Sequence, residues 1–188
     1  TIAPVGAEVL RPCISGGRNV IYNSEAWSEH HSDIWEKDFF PMALKEIDTP
    51  IIPSLGYDAA DMENLVPRFD KFADAFELIP RYVGKDLDAV RDMVSTAVNL
   101  TDKPVWVKMN AGLPNPVEFS GVARECGAVG IVAVTSLGPN MIIDLQKRKP
   151  VVGTPDGYVW TSGPYIKPLA LATVHIIKQA YPDLSVIG

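Results

Sequence analysis

A lysine stands near the end of a short apolar run, PVWVKMN (104–110). Lysine is almost never fully buried without a partner, so an ammonium group there asks for an anion or an electron-rich ligand. The alternative is a lysine that snorkels its ammonium out to solvent. Other residues able to bind or react close comparable runs. PIIPSLGY (50–57) offers Ser54 and Tyr57, AFELIPRY (75–82) offers Arg81 and Tyr82, and AVGIVAVTS (128–136) offers Thr135 and Ser136. Asn110 follows Lys108, and Thr161, Ser162 and Gly163 precede a helix-like stretch. The set is polar, weakly basic and hydroxyl-rich, with no His, no Cys and no carboxylate pair. Glycosidases need two carboxylates. Metal hydrolases need clustered His and acids. His30 and His31 are adjacent, so their side chains diverge and read as a surface pair, and His175 reads as structural. No metal site is expected. The set suits an anionic or electron-rich planar ligand, held by one cation, amides, hydroxyls and helix N-terminal N–H groups.

Such residues share a site only if the runs before them are parallel strands whose C-terminal ends lie together. From residue 50 onward a short β-rich run alternates with a helix-like stretch. Met62, Leu65, Val66, Phe69 and Phe72 have helical spacing, with Asp58 and Asp61 suited to the start and Pro67 predicting a kink or a late start. Leu87, Val90, Val94 and Val98 make one face of a helix over 84–101. A third helix is read over 115–127, stopped by Gly127, and a long one over 163–180 before LSVIG (184–188). AVGIVAVTS is a continuous apolar run of the kind buried on both faces. The segment 137–160 reads as irregular, and AEVLRPCISG (7–16) as a strand.

The β-α-β-α order means a parallel sheet with helices outside. A doubly wound sheet would bring a glycine-rich phosphate loop after its first strand, and none is present. The compact helix–turn–strand step in ECGAVGIVAV suits a TIM (β/α)8-type barrel. A full barrel takes roughly 250 residues and eight strands. This chain has 188 residues and about five or six strands, so the barrel is incomplete within it. The expectation is a fragment, or a barrel completed by another chain, because open edges and apolar faces are otherwise left uncovered. The chain is read as one partial barrel domain over 1–188, with 15–49 as a long aromatic loop plus a helix (about 35–47) over the site face. It opens at TIAPVG without an initiator methionine, so something upstream is expected to be missing.

A net charge of −6 with no basic block argues against nucleic-acid phosphates and anionic lipids as partners. No run approaches the ~20 apolar residues of a membrane span. Cys13 and Cys126 lie far apart in no C-x-x-C pair, which argues against a disulfide framework and against zinc or iron–sulfur ligation. Reduced cysteines of this kind fit a cytoplasmic protein.

Three stretches carry a resemblance. DKPVWVKMN, VARECGAVGIVAVTSLGPNMIIDLQKRKPV and TSGPYIKPLALATVHIIKQAYPDLSVIG are similar to successive units of the flavin-binding barrel of the dihydroorotate and dihydropyrimidine dehydrogenase family. GRNVIYNSEAWSEHHSDIWEKDF resembles that family's Asn-bearing substrate loop. The resemblance implies FMN as cofactor, with Lys108 at the N1–O2 edge of its ring and Thr135, Ser136, Ser162 and Gly163 against it. It implies Asn23 on the substrate side, and Asn110 is placed with it. It also implies a partner subunit carrying FAD and iron–sulfur clusters for electron transfer.

The departures are in the second unit. Where the family has E-L-N-x-S-C-P, this chain reads ELIPRYVGKDLD. Ile79 replaces the substrate-reading Asn, and no Cys follows. Thr135 replaces another Asn, and Val159-Trp160 replaces a Gly-Gly pair. Unmet buried polar groups cost about 1–3 kcal/mol each, so losing these amides should lose the pyrimidine. Tyr82 and Arg81 are the candidates left for proton transfer. The expectation is an FMN-dependent oxidoreductase, or a subunit of one, acting on a different substrate. The alternative is a non-catalytic barrel subunit with a structural or interaction role in a larger complex.

Overall fold

A computed structural model describes residues 1–24, 27–82 and 84–188. Strands β1 (Ile14–Gly17) and β2 (Val20–Asn23) form an antiparallel hairpin. A continuous helical run follows: α1 (Ser32–Ile34), a π-helical stretch (Trp35–Phe39) and α2 (Phe40–Glu46). It begins three residues before the expected position because His31 caps it, Nδ1 accepting from the Asp33 N–H at 3.2 Å. The segment 15–49 therefore holds a hairpin as well as a helix. Of the strand expected over 7–16, only the end from Ile14 is one. Pro12 lacks the N–H a ladder would need.

The alternation then runs β3 (Ser54–Leu55), α3 (Ala59–Phe69), β4 (Phe76–Leu78), α4 (Leu87–Leu100), β5 (Val105–Met109), α5 (Pro116–Glu125) and β6 (Gly130–Ala133). Asp58 caps α3 through its side chain, and Asp86 caps α4. Helix α3 starts on time and runs through Pro67. The proline and Glu63, whose carbonyl its missing N–H would have met, are both on the exposed face. Helix α5 stops as expected at Gly127 (φ +94°). The Gly127 N–H donates to Arg124 O and the Ala128 N–H to Ala123 O, both at 3.0 Å, closing the last turn.

The stretch expected to be irregular forms strands instead: β7 (Leu137–Met141), β8 (Ile143–Asp144), β9 (Lys149–Pro150) and β10 (Tyr158–Ser162). Strand β10 pairs antiparallel with β2 and with β7. Strand β7 carries Gly138 and Pro139, β9 ends on Pro150, and β10 takes one of its ladders from the distant β2, so local alternation is a weak signal. A 3₁₀ turn (Pro164–Ile166), helix α6 (Lys167–Ala180) and β11 (Ser185–Ile187) close the chain.

Two main sheets result. Five parallel strands lie in the order β11-β6-β5-β4-β3, and an antiparallel sheet in the order β1-β2-β10-β7. On the parallel sheet one face is core. Leu55, Leu78, Val107 and Ile131 are fully buried in one cluster with Phe69 of α3, Val94 of α4, Phe119 of α5 and Ile177 of α6. Each such side chain contributes about 1.5–3 kcal/mol of burial. Strict alternation sends the residues between them to the other face. Val105, Val107 and Met109 are buried, while Trp106 and Lys108 are partly exposed opposite. Lys108 is thus turned away from the helices. No helix of the described residues is long and apolar enough to cross a membrane.

Candidate functional site

The inner face of the parallel sheet opens into a cavity of about 810 Å³. Ser54 of β3, Glu77 of β4 and Lys108 of β5 line it from the sheet, with Ile79, Thr135 and Ser136 just beyond strand ends. Ile21, Asn23 and Ser162 line it from the antiparallel sheet. Trp27, Glu29, His30, Trp35 and Phe40 contribute the wall formed by the chain before and within the first helical run. Residues expected to meet, Lys108, Asn23, Thr135, Ser136 and Ser162, therefore lie around one cavity. Gly163 lines neither this cavity nor its neighbour. It holds a left-handed backbone (φ +96°) immediately after Ser162.

Lys108 is not free. Its Nζ donates to Glu77 Oε1 at 3.0 Å, and the two side chains are 26% and 15% exposed. The contact is diagonal. Glu77 sits opposite Trp106 in the β4–β5 register, and Lys108 lies two residues further on. Ser54 is the register partner of Glu77 on β3. Its buried Oγ has no hydrogen-bond partner among the described residues.

Glu29 is held by Arg11 at 2.9 and 3.1 Å, and this guanidinium keeps its carboxyl below the usual range. The His30 ring stands edge-on to Phe39 at 5.1 Å. The strand ends carry no His and no carboxylate pair, but the cavity lining adds His30, Glu29 and Glu77 from elsewhere in the chain. Glu77 points inward from mid-strand, and His30 and Glu29 arrive from the N-terminal segment. The alternation of FEL gives a local signal for Glu77. Nothing local signals that His30 lines the cavity.

A second cavity of about 300 Å³ adjoins the first and shares Trp27, Ile79, Thr135 and Ser136 with it. Arg81, Tyr82, Asn110, Tyr57 and Trp160 also line it. The Arg81 guanidinium lies 5.3 Å from the centre of the Tyr57 ring, a cation–π arrangement. Burial pushes the Tyr57 hydroxyl up, partly offset by a hydrogen bond with Thr1 and by the Arg81 charge. Tyr82 is 3% exposed, and its hydroxyl lies 2.8 Å from Asn115 Nδ2 and 3.1 Å from Asn115 Oδ1. Asn110 Nδ2 donates to the Tyr82 carbonyl at 3.0 Å. Among the described residues no three His, Cys, Asp or Glu side chains gather as metal ligands.

No family model matches the chain. It is similar to the catalytic subunit of dihydroorotate dehydrogenase B (NAD(+)) from Methanopyrus kandleri, 33% identical over 157 residues, or 76% of this chain and 49% of the relative. The same subunit from Geotalea uraniireducens is 32% identical over 77% of this chain and 50% of the relative. The chain spans about half the length of these curated relatives. Among solved structures, dihydroorotate dehydrogenase from Eimeria tenella in complex with ferulenol superposes with a TM-score of 0.74 at 14% identity, over 99% of this chain and 60% of that one. That likeness is one of fold. The five parallel strands with outer helices are an incomplete (β/α)8-type barrel, and Ile79, Thr135 and Ser136 follow the C-terminal strand ends that such barrels use.

Proposed function

From the premise that this chain is a divergent, partial relative of the dihydroorotate dehydrogenases, we propose that it is an FMN-dependent oxidoreductase, or a subunit of one, acting on a substrate other than a pyrimidine. The observation that carries the reading is the gathering of Lys108, Asn23, Thr135, Ser136 and Ser162 around one cavity of about 810 Å³. A volume of this order suits a cofactor-sized ligand. The donor set suits FMN: one ammonium on the floor and hydroxyls at the rim. When bound, FMN supplies hydride acceptance and donation in two-electron steps.

The chain's own residues then divide the work. Lys108 places positive charge against the electron-rich edge of the ring, with Glu77 fixing where that charge sits. Thr135, Ser136 and Ser162 lie against the cofactor, and Gly163, which lines neither cavity, acts only through the backbone turn it gives after Ser162. Asn23 and Asn110 face the substrate. Ile79 lines both cavities and puts a branched apolar wall where an amide would read a pyrimidine. For proton transfer, Tyr82 and Arg81 line the smaller cavity, but the Tyr82 hydroxyl is already engaged with Asn115. His30 lines the larger cavity directly and is the better placed imidazole. Residues 15–49 cover the site within one partial-barrel domain over 1–188. An electron-transfer subunit with FAD and iron–sulfur clusters, completion of the barrel by further chain or by oligomerisation, and a cytoplasmic location belong to the same reading. The relatives' description as catalytic subunits supports the partner.

The test is FMN binding to the purified protein, followed by flavin absorbance and fluorescence quenching. Lys108→Ala should weaken it at least tenfold. Wild-type protein that is colourless and takes up no added FMN overturns the proposal. The Glu77–Lys108 pair favours a second reading, a structural subunit in which the lysine is simply neutralised. Equal flavin content in wild type and Lys108→Ala would support it.

A further inference from the structure

The polar floor of the main cavity is only half satisfied by the protein itself. Glu77 gives Oε1 to Lys108, and its other oxygen accepts no hydrogen bond among the described residues. A carboxylate has about four acceptor sites, and an ammonium has three donors. Lys108 likewise uses one donor among the described residues. On the neighbouring strand the Ser54 hydroxyl is unmet too. Both members of the ion pair line the cavity.

The pair is close to neutral as a unit, and this restricts its ligand. A simple anion placed on Lys108 would be repelled by Glu77 beside it, and a cation on Glu77 would be repelled by Lys108. A ligand edge that presents an N–H next to a carbonyl oxygen meets both groups. The hydrogen bonds formed would be charge-assisted on each side. We propose that Glu77 and Lys108 together read the edge of a cyclic imide or lactam ring, with Glu77 accepting from the ring N–H and Lys108 donating to the adjacent carbonyl. The inference rests on the FMN reading and deepens it, because the flavin ring carries such an edge. It assigns Glu77, absent from the sequence-derived site, as a ligand-binding residue.

The experiment compares two matched pairs of probes: lumiflavin against 3-methyl-lumiflavin, and phthalimide against N-methylphthalimide. Each methyl group removes the N–H and keeps the ring. Affinities are read by fluorescence quenching and saturation-transfer NMR. Wild type should favour the N–H member of each pair at least tenfold, the scale of a hydrogen bond to a charged group. Glu77→Gln should bring the ratio close to one, because its amide oxygen would turn to Lys108 and leave N–H facing N–H. Lys108→Ala should weaken both members and keep the preference. Thermal melts check that each variant folds, and Glu77→Asp, which retracts the carboxylate, replaces Glu77→Gln if that variant does not. Lumiflavin that binds without preference overturns the inference and leaves the FMN reading standing. Flavins that fail to bind while phthalimide keeps a Glu77-dependent preference do the reverse. No binding of either pair overturns both.

Discussion

Gly130 is where the parallel sheet leaves no room for a side chain. A Cβ there would sit 2.3 Å from the Trp106 ring and 2.6 Å from the Ser185 carbonyl oxygen of the adjoining strand. Trp106 is two residues before Lys108 on the same inner face, so the glycine makes room for its indole. Gly130→Ala should therefore cost about 1–3 kcal/mol, the usual penalty of overpacking. Thermal melts would read this as a loss of roughly 2–12 °C for a chain of this size. An unchanged melting temperature would mean that the ring and the neighbouring strand move aside freely. Lys108 itself was legible in the sequence, because alternation alone turns it away from Val107 and Met109. Its partner was not. Glu77 is 31 positions away, and their contact depends on which strands are neighbours and in what register. His30 was missed for the same reason: two adjacent histidines carry no local sign that one of them lines a cavity with residues of distant strands.

At the level of elements, the helices were readable because their signals are local. The cap at Asp58, an apolar face on α4 and a glycine stop after α5 all act within a few residues. The antiparallel sheet was not readable, since β2 and β10 are joined through pairs such as Tyr22 with Thr161. The first helical run is fastened by a contact equally remote in sequence. Arg68 of α3 donates to Asp33 at 2.6 Å, to Glu36 at 2.9 Å and to the buried Ser32 hydroxyl at 3.1 Å. Its hydrogen bonds hold the Asp33 and Glu36 carboxyls below their ordinary values. A carboxyl depressed in the folded state stabilises it above the unfolded pKa, about 3.9 for Asp and 4.3 for Glu, and loses that contribution as pH falls through the folded value. Residues 32–46 should thus loosen below about pH 4 while the parallel sheet remains closed. Amide exchange, expressed as protection factors, would show this. Arg68→Ala should bring the same loosening at neutral pH, roughly tenfold in protection. Equal protection in variant and wild type would leave Arg68 without a fastening role.

Across the whole molecule, the cavity is a meeting place of three parts of the chain. Its floor comes from the parallel sheet, one wall from the antiparallel sheet and another from the segment ending in Phe40. The inner-face residues Trp106, Lys108 and Val132 stay partly exposed, whereas the helix-facing layer is closed. A ligand in the cavity touches all three parts and so links them, adding its binding free energy to the folded state alone. FMN at one hundred times its dissociation constant should stabilise the chain by about 2.7 kcal/mol. For a chain of this length that raises the melting temperature by roughly 5–11 °C. At the same FMN concentration Lys108→Ala should show a much smaller rise, because its dissociation constant is higher while the fold is unchanged. A rise of equal size in both proteins would place FMN away from Lys108. Protection that grows on the parallel sheet but not at β2 or β10 would mean that the ligand rests on the floor without linking the two sheets.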